Sequence, residues 1–298
     1  MLFTASYYIY RVSTALIRIS RMEFIHGIVC ALVAPVVTKV ISIAAEKKFV
    51  AAPPIAAPED KNPSQPLKKK RTRPYVFSIE GNIGAGKSTL LEKLRKIIEC
   101  GESPSILSSP EEIGIMKLLE IHLEQLGLSY KDVICMQEPV DVWESVKDSE
   151  SGESILQKFY KDAKTYAFAF QVMAYTSRLT AFRRVVKENP ECKLILCERS
   201  LEADCNIFAK MMNDDKMIDE VSYQVYKTLY DATASDFALD AVFHLDVSPE
   251  VCLERIGKRG REGESGISLD YLAKCDLYYN NWLKMKQKYT VHWVSESA

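Results

Sequence analysis

Between Gly81 and Thr89 the chain reads GNIGAGKST, and the chemistry of that G-x-x-x-x-G-K-S spacing is the holding of phosphate. Gly81, Gly84 and Gly86 let the backbone turn so that its N–H groups converge on phosphate oxygens. Lys87 is placed to neutralise β and γ phosphates, and the Ser88 hydroxyl to hold Mg2+. The whole run, Gly81, Asn82, Ile83, Gly84, Ala85, Gly86, Lys87, Ser88 and Thr89, is therefore read as an ATP-binding loop. Two further places carry chemistry. Glu138, in QEPVDVW, could take the proton of an attacking hydroxyl. In ERS, Glu198 would stand beside the metal and Arg199 beside the phosphates.

These residues need a scaffold, and the hydrophobic pattern supplies one. Short apolar runs at 75–79, 133–137, 193–197, 241–246 and 290–294 read as strands, separated by stretches long enough for crossover helices. The expected fold is α/β: a five-stranded parallel sheet with helices on both faces and an arginine-rich lid. YVFSI leads into the phosphate loop, and Leu90, Leu91, Leu94, Ile97 and Ile98 recur on one face of the helix after it. Glu138, Glu198 and Arg199 all follow strands, at the carboxyl edge where open α/β sheets bind ligands. The segment from Cys100 to Asp132, with its helical patch IMKLLEIHLEQL, reads as an insertion before the second strand.

Around 164–187 a helix is predicted in which Gln171, Ala174 and Arg178 share a face that is otherwise apolar. Polar groups in such surroundings need partners, so Gln171 and Arg178 are candidate ligand contacts. Arg255, Lys258, Arg259 and Arg261 gather cations ahead of Gly263 and Gly266, which permit bending.

From about Arg73 to Trp282 the chain resembles the deoxyribonucleoside kinases, most of all the deoxycytidine and deoxyguanosine/deoxyadenosine branch. EGNIGAGKST, EPVDVW, FYKDAKTYAFAFQ, ERSLEAD and RIGKRGREGESG stand in that family's order and spacing. The resemblance implies transfer of the ATP γ-phosphate to a deoxynucleoside 5′-hydroxyl, with Glu138 as general base, Arg199 steadying it, and Glu198 associated with magnesium. It implies that Tyr160 and Glu264 bind the sugar 3′-hydroxyl and that Gln171 holds a base edge. Trp143, Val140, Phe170 and Phe208 become pocket walls, and Arg178 with Asp204 a pair contacting the base. Arg255, Arg259 and Arg261 become lid arginines on the ATP phosphates. Thymidine-preferring relatives lack that Arg and Asp, so deoxyadenosine, deoxyguanosine or deoxycytidine is expected over thymidine. The resemblance also implies a homodimer. Two departures stand out: the insertion, and a chain that stops soon after Trp282 with no evident base-binding loop for ATP.

Composition narrows the partners. With 298 residues, 39 basic and 40 acidic side chains and a formal charge of −1, no global field would hold a nucleic-acid polymer. The eight cysteines are scattered without a C-x-x-C pair, as in a reduced intracellular protein, and none of the four histidines sits in a metal or nucleophile motif. Residues 1–50 read as a targeting-like or membrane-like segment. Residues 1–22 hold arginines and no acid, as in a mitochondrial presequence, and 24–45 is an apolar stretch broken by Pro35 and Lys39. Residues 51–73 form a Pro/Ala-rich and basic linker whose KKKRTR run could equally be a nuclear address, and 74–298 forms the kinase domain. Two rivals stay open. A thymidylate-kinase-type enzyme should carry extra cations for a substrate phosphate. A non-catalytic subunit of a mitochondrial membrane complex should show a damaged site.

Overall fold

The computed structural model describes residues 71–295 apart from 262 and 286. Strand β1, Tyr75–Gly81, is buried along almost its whole length, and the period-two alternation of its side chains decides what each face meets. Phe77 and Ile79 look to one side, Val76 and Glu80 to the other. The remaining strands are β2 (Val133–Met136), β3 (Leu194–Glu198), β4 (Ala241–Asp246) and β5 (Thr290–Ser295). All pair in parallel, in the order β2-β3-β1-β4-β5. Phe77 lies level with Leu196 on one neighbour and with Ala241 on the other.

One face of the sheet is covered by α1 (Lys87–Cys100), α2 (Pro110–Leu126) and α9 (Pro249–Arg259). Leu90, Leu91 and Leu94 of α1, Ile115 and Leu119 of α2 and Cys252 and Ile256 of α9 pack there with Phe77 and Phe243. The inserted segment is thus a core helix. Its start is fixed by a capping box between Ser109 and Glu112, and Glu112 also accepts from Lys93 of α1 at 2.7 and 2.8 Å. The opposite face is covered by α5 (Ala163–Glu188), α8 (Glu220–Thr233) and α10 (Leu269–Lys284). It is also covered by a helical stretch built as α6 (Leu201–Ala203), a π-turn segment (Asp204–Ala209) and α7 (Lys210–Asp214). Two short helices, α3 (Val140–Ser145) and α4 (Ile155–Lys161), lead from β2 to α5 and build a third apolar cluster around Trp143, Phe159 and Phe170.

From β1 the chain runs first to β2 at one edge, then back through β3 and past β1 to β4, so it reverses direction across the sheet beside β1. Such a reversal opens a crevice at the carboxyl ends of the strands. Among the described residues no helix is long and apolar enough to cross a membrane, and the stretch at 24–45 lies outside them.

Candidate active site

A cleft of about 600 Å³ lies at that crevice, lined on one side by residues 83–90 and on the other by Glu138, Trp143, Tyr160, Phe170 and Gln171. The phosphate loop is fitted there so closely that side chains are excluded. A Cβ on Gly81, at φ 144°, would come within 2.7 Å of the Leu245 carbonyl oxygen. One on Gly84, at φ 83°, would come within 2.5 Å of the Cys252 carbonyl oxygen. Gly86, at φ 96°, caps α1 without a side chain, so the first N–H groups of the helix keep their charge for a ligand. Asn82 pins the loop: its amide donates to the Leu272 carbonyl of α10 at 2.8 Å and its oxygen accepts from Ile83 N–H at 2.9 Å. Lys87 donates to the Asn82 carbonyl at 2.7 Å. Burial, with Arg199 nearby, pulls its ammonium down to about 8, although Glu198, Glu138 and Glu80 pull the other way.

Across the cleft Glu138 projects just beyond β2. Its Oε1 lies 2.7 Å from Arg178 Nη2 and 3.3 Å from Arg199 Nε. Burial would raise this carboxyl, but Arg199, Arg178 and Lys87 together hold it below the ordinary glutamate value. Arg199 follows β3 with φ 60°, the left-handed region that a long side chain enters only under constraint. Its guanidinium donates to the Gly81 carbonyl at 3.0 Å, meets the Tyr279 hydroxyl and lies 4.8 Å from the Phe208 ring centroid. Ser88 donates to Glu198 Oε1 at 2.7 Å. That hydroxyl and carboxylate are hard oxygen donors of the kind Mg2+ takes.

The aromatic recess is rigid. Phe170 stacks on Phe159 at 4.6 Å and meets Trp143 edge-on at 5.5 Å, while Trp143 Nε1 donates to Ser177 Oγ at 2.8 Å. Val140, Phe208 and Asp204 complete its wall. Gln171 is buried at 2% exposure and faces the cleft, with no hydrogen bond from its amide among the described residues. Arg178 is not among the residues that line the cleft. Fully buried behind the wall, it is spent on Asp204 (Nε to Oδ2, 2.8 Å), the Glu198 carbonyl (2.7 Å) and Glu138. Only Asp204 of the pair reaches the cleft surface.

The lid arginines are also engaged. Glu264 is buried and accepts from Arg259 at 2.6 and 3.1 Å and from Arg261 at 3.4 Å, while Arg255 reaches the Ala85 carbonyl at 3.4 Å. Tyr160 lines the same part of the cleft, its hydroxyl's pKa raised by burial and by the nearby Glu264 and Glu138.

Sequence reasoning missed two groups. Ser109, Glu111 and Glu112, at the start of the inserted helix, line the cleft beside the phosphate loop, which no local pattern announces. Glu80 and Tyr279 form a buried network under Arg199. Here one signal was present, an acid ending the apolar strand YVFSIE.

A phosphate loop facing a closed aromatic and acidic recess across one cleft defines a P-loop phosphotransferase with a small acceptor. The family model for deoxynucleoside kinase matches residues 118–298. Deoxycytidine kinase from Homo sapiens is 29% identical over 236 residues, covering 76% of this chain and 82% of that one. The Mus musculus enzyme of that name is 31% identical over 228 residues, covering 74% and 80%. Deoxycytidine kinase 1 of Xenopus laevis is 32% identical over 217 residues, covering 70% and 73%. The chain belongs to the deoxynucleoside kinase family. It is an ATP-dependent phosphotransferase acting on a deoxynucleoside, and neither rival reading of the sequence is favoured.

Proposed function

We propose that this kinase prefers deoxyadenosine, deoxyguanosine or deoxycytidine to thymidine, and that the residues gathered in the cleft carry out the transfer. The observation that carries the base preference is the pairing of a buried Gln171 amide, unpartnered among the described residues, with an Asp204 carboxylate held at the cleft surface by Arg178. An amide offers one donor and one acceptor to a base edge, and a carboxylate requires a donor, which an exocyclic amino group supplies and the thymine methyl does not. Such a site can reject an analogue lacking that group by about 10⁴-fold. The relatives named deoxycytidine kinase agree with an amino-bearing base.

In the mechanism the sugar lies between Tyr160 and Glu264, its 5′-hydroxyl directed at Glu138. Glu138, ionised beside Arg178 and Arg199, accepts the hydroxyl proton as the oxygen attacks the γ-phosphorus. The loop N–H groups, Lys87 and the lid arginines Arg255, Arg259 and Arg261 balance charge on the equatorial oxygens, while Arg199 keeps base and phosphoryl aligned. Ser88 and Glu198 would hold Mg2+, which when bound neutralises charge on the β and γ phosphates. The homodimer stays a proposal that rests on the family resemblance. The proposed organisation keeps residues 74–298 as the kinase domain, with 1–50 as a targeting segment pointing to mitochondria.

A coupled ATP assay across four deoxynucleosides and their monophosphates tests the reading. Thymidine turnover equal to or above that of the other three sinks the base preference. Glu138→Gln should lose most of kcat while still binding ATP, and near-wild-type kcat would remove Glu138 from the base role.

A further inference from the structure

Arg199 is held in a backbone conformation that its own side chain does not favour, so something must fix it there. Beneath it Glu80, the last acid of β1 and fully buried, accepts from the Ser200 hydroxyl at 2.7 Å and from the Tyr279 hydroxyl at 3.1 Å. The Tyr279 hydroxyl in turn accepts from Arg199 Nη1. Each hydroxyl thus donates to Glu80 and accepts in turn, Ser200 from Ala203 N–H of the helix it caps at 3.0 Å and Tyr279 from Arg199. The chain of contacts runs Glu80, Tyr279, Arg199, Glu138, and reaches from the strand that launches the phosphate loop to the acceptor side of the cleft. Tyr279 belongs to α10, the helix after the lid, whose Leu272 carbonyl also holds Asn82 of the loop.

We propose that Tyr279 and Glu80 are positioning residues for phosphoryl transfer, fixing the Arg199 guanidinium so that it both orients Glu138 and keeps it ionised. This rests on the roles proposed above for Glu138 and Arg199. Arg199 has an edge to give each partner: Nε toward Glu138, Nη1 toward Gly81 and Tyr279. With the Tyr279 hydroxyl gone, Nη1 keeps only the Gly81 carbonyl, and Glu80 loses the link that couples it to Arg199. The guanidinium can then swing on the Phe208 face, and its distance to Glu138 becomes variable. The charged and titratable groups around the network are Glu80, Arg199, Arg178, Lys87, Glu138, Glu198, Glu202, Cys197, Cys275 and His244, whose ring centroid lies 5.2 Å from that of Tyr279. Among these Glu80 alone touches both Ser200 and Tyr279.

The test is Tyr279→Phe in the full chain, which keeps the ring and removes one oxygen. Expected is a fall in kcat of about 10- to 100-fold, the worth of one hydrogen bond to a charged group. The KM for ATP and for the deoxynucleoside should stay within about threefold, because neither ligand touches Tyr279 in the proposed pose. The acid limb of the kcat/KM profile should move to higher pH as Glu138 loses a fixed cation. Glu80→Gln, whose amide cannot accept from both hydroxyls, should show the same pattern more weakly, and it reads the same quantities should Tyr279→Phe fail to fold. A lowered unfolding temperature with unchanged kcat and unchanged acid limb in both variants would make the network merely structural and overturn the inference. Were Glu138→Gln itself fully active, the underlying roles would fall instead, so the two failures are distinct.

Discussion

Arg178 ties three groups of the interior together: one guanidinium serves Asp204, Glu138 and the backbone of Glu198 with no exposure to water. Removing it leaves the buried Asp204 without its main counter-charge and Glu138 with only Arg199 and Lys87. Arg178→Met should therefore cost about 3–5 kcal/mol of stability in denaturant titrations. Adding Asp204→Ala should recover part of that loss, because the two residues act as a unit. An additive double variant would show that they do not. The same cation, with Arg199, sets the pH behaviour of Glu138. A carboxyl held below its ordinary value stays ionised until the pH falls through that lowered value, and there both activity and its share of stability are lost. The acid limb of kcat/KM should accordingly lie below the ordinary glutamate value, and a limb above it would contradict this ion-pair arrangement.

At the level of elements, the helical stretch after β3 departs most from a regular pattern. In its π-turn segment Asp204 and Phe208, four residues apart, both line the cleft. Just before it, Glu202 accepts from Leu239 N–H at 3.1 Å with one carboxyl oxygen and leaves the other buried without a partner among the described residues. Burial pushes this carboxyl up to about 7. For an acid whose folded value is raised, the contribution to stability is whole below the ordinary glutamate value and is lost as pH rises through about 7. Glu202→Gln should thus raise the unfolding temperature at pH 8 by more than at pH 5, a difference worth about 1–3 kcal/mol. Equal gains at both pH values would count against it. The strands, the phosphate loop and the helix of Gln171 were legible in the sequence because local periodicity and glycine spacing determine them. The insertion was legible as a helix through Ile115, Leu119 and Leu123, but its acidic start at the cleft was not, since that depends on packing against α1 through Lys93 and Glu112. Arg178 and Gln171 share a helix face, and nothing local says that one turns inward while the other meets the ligand. Tyr279 lies 80 residues from Arg199, beyond any motif.

Across the whole molecule, the sheet, both covering layers and the cleft fall within residues 71–295. A chain beginning at Lys68 should keep kcat within about twofold of the full chain in the coupled assay, and a larger loss would give the N-terminal segment a part in catalysis. A last consequence belongs to the lid. In this arrangement the cations proposed for the donor, Arg259 and Arg261, rest on Glu264, the acid proposed for the sugar. A sugar that engages Glu264 loosens its hold on both arginines, and a triphosphate that draws the arginines away leaves Glu264 free for the sugar. The two substrates are then thermodynamically linked, and reciprocity requires each to tighten the other by the same factor, whichever binds first.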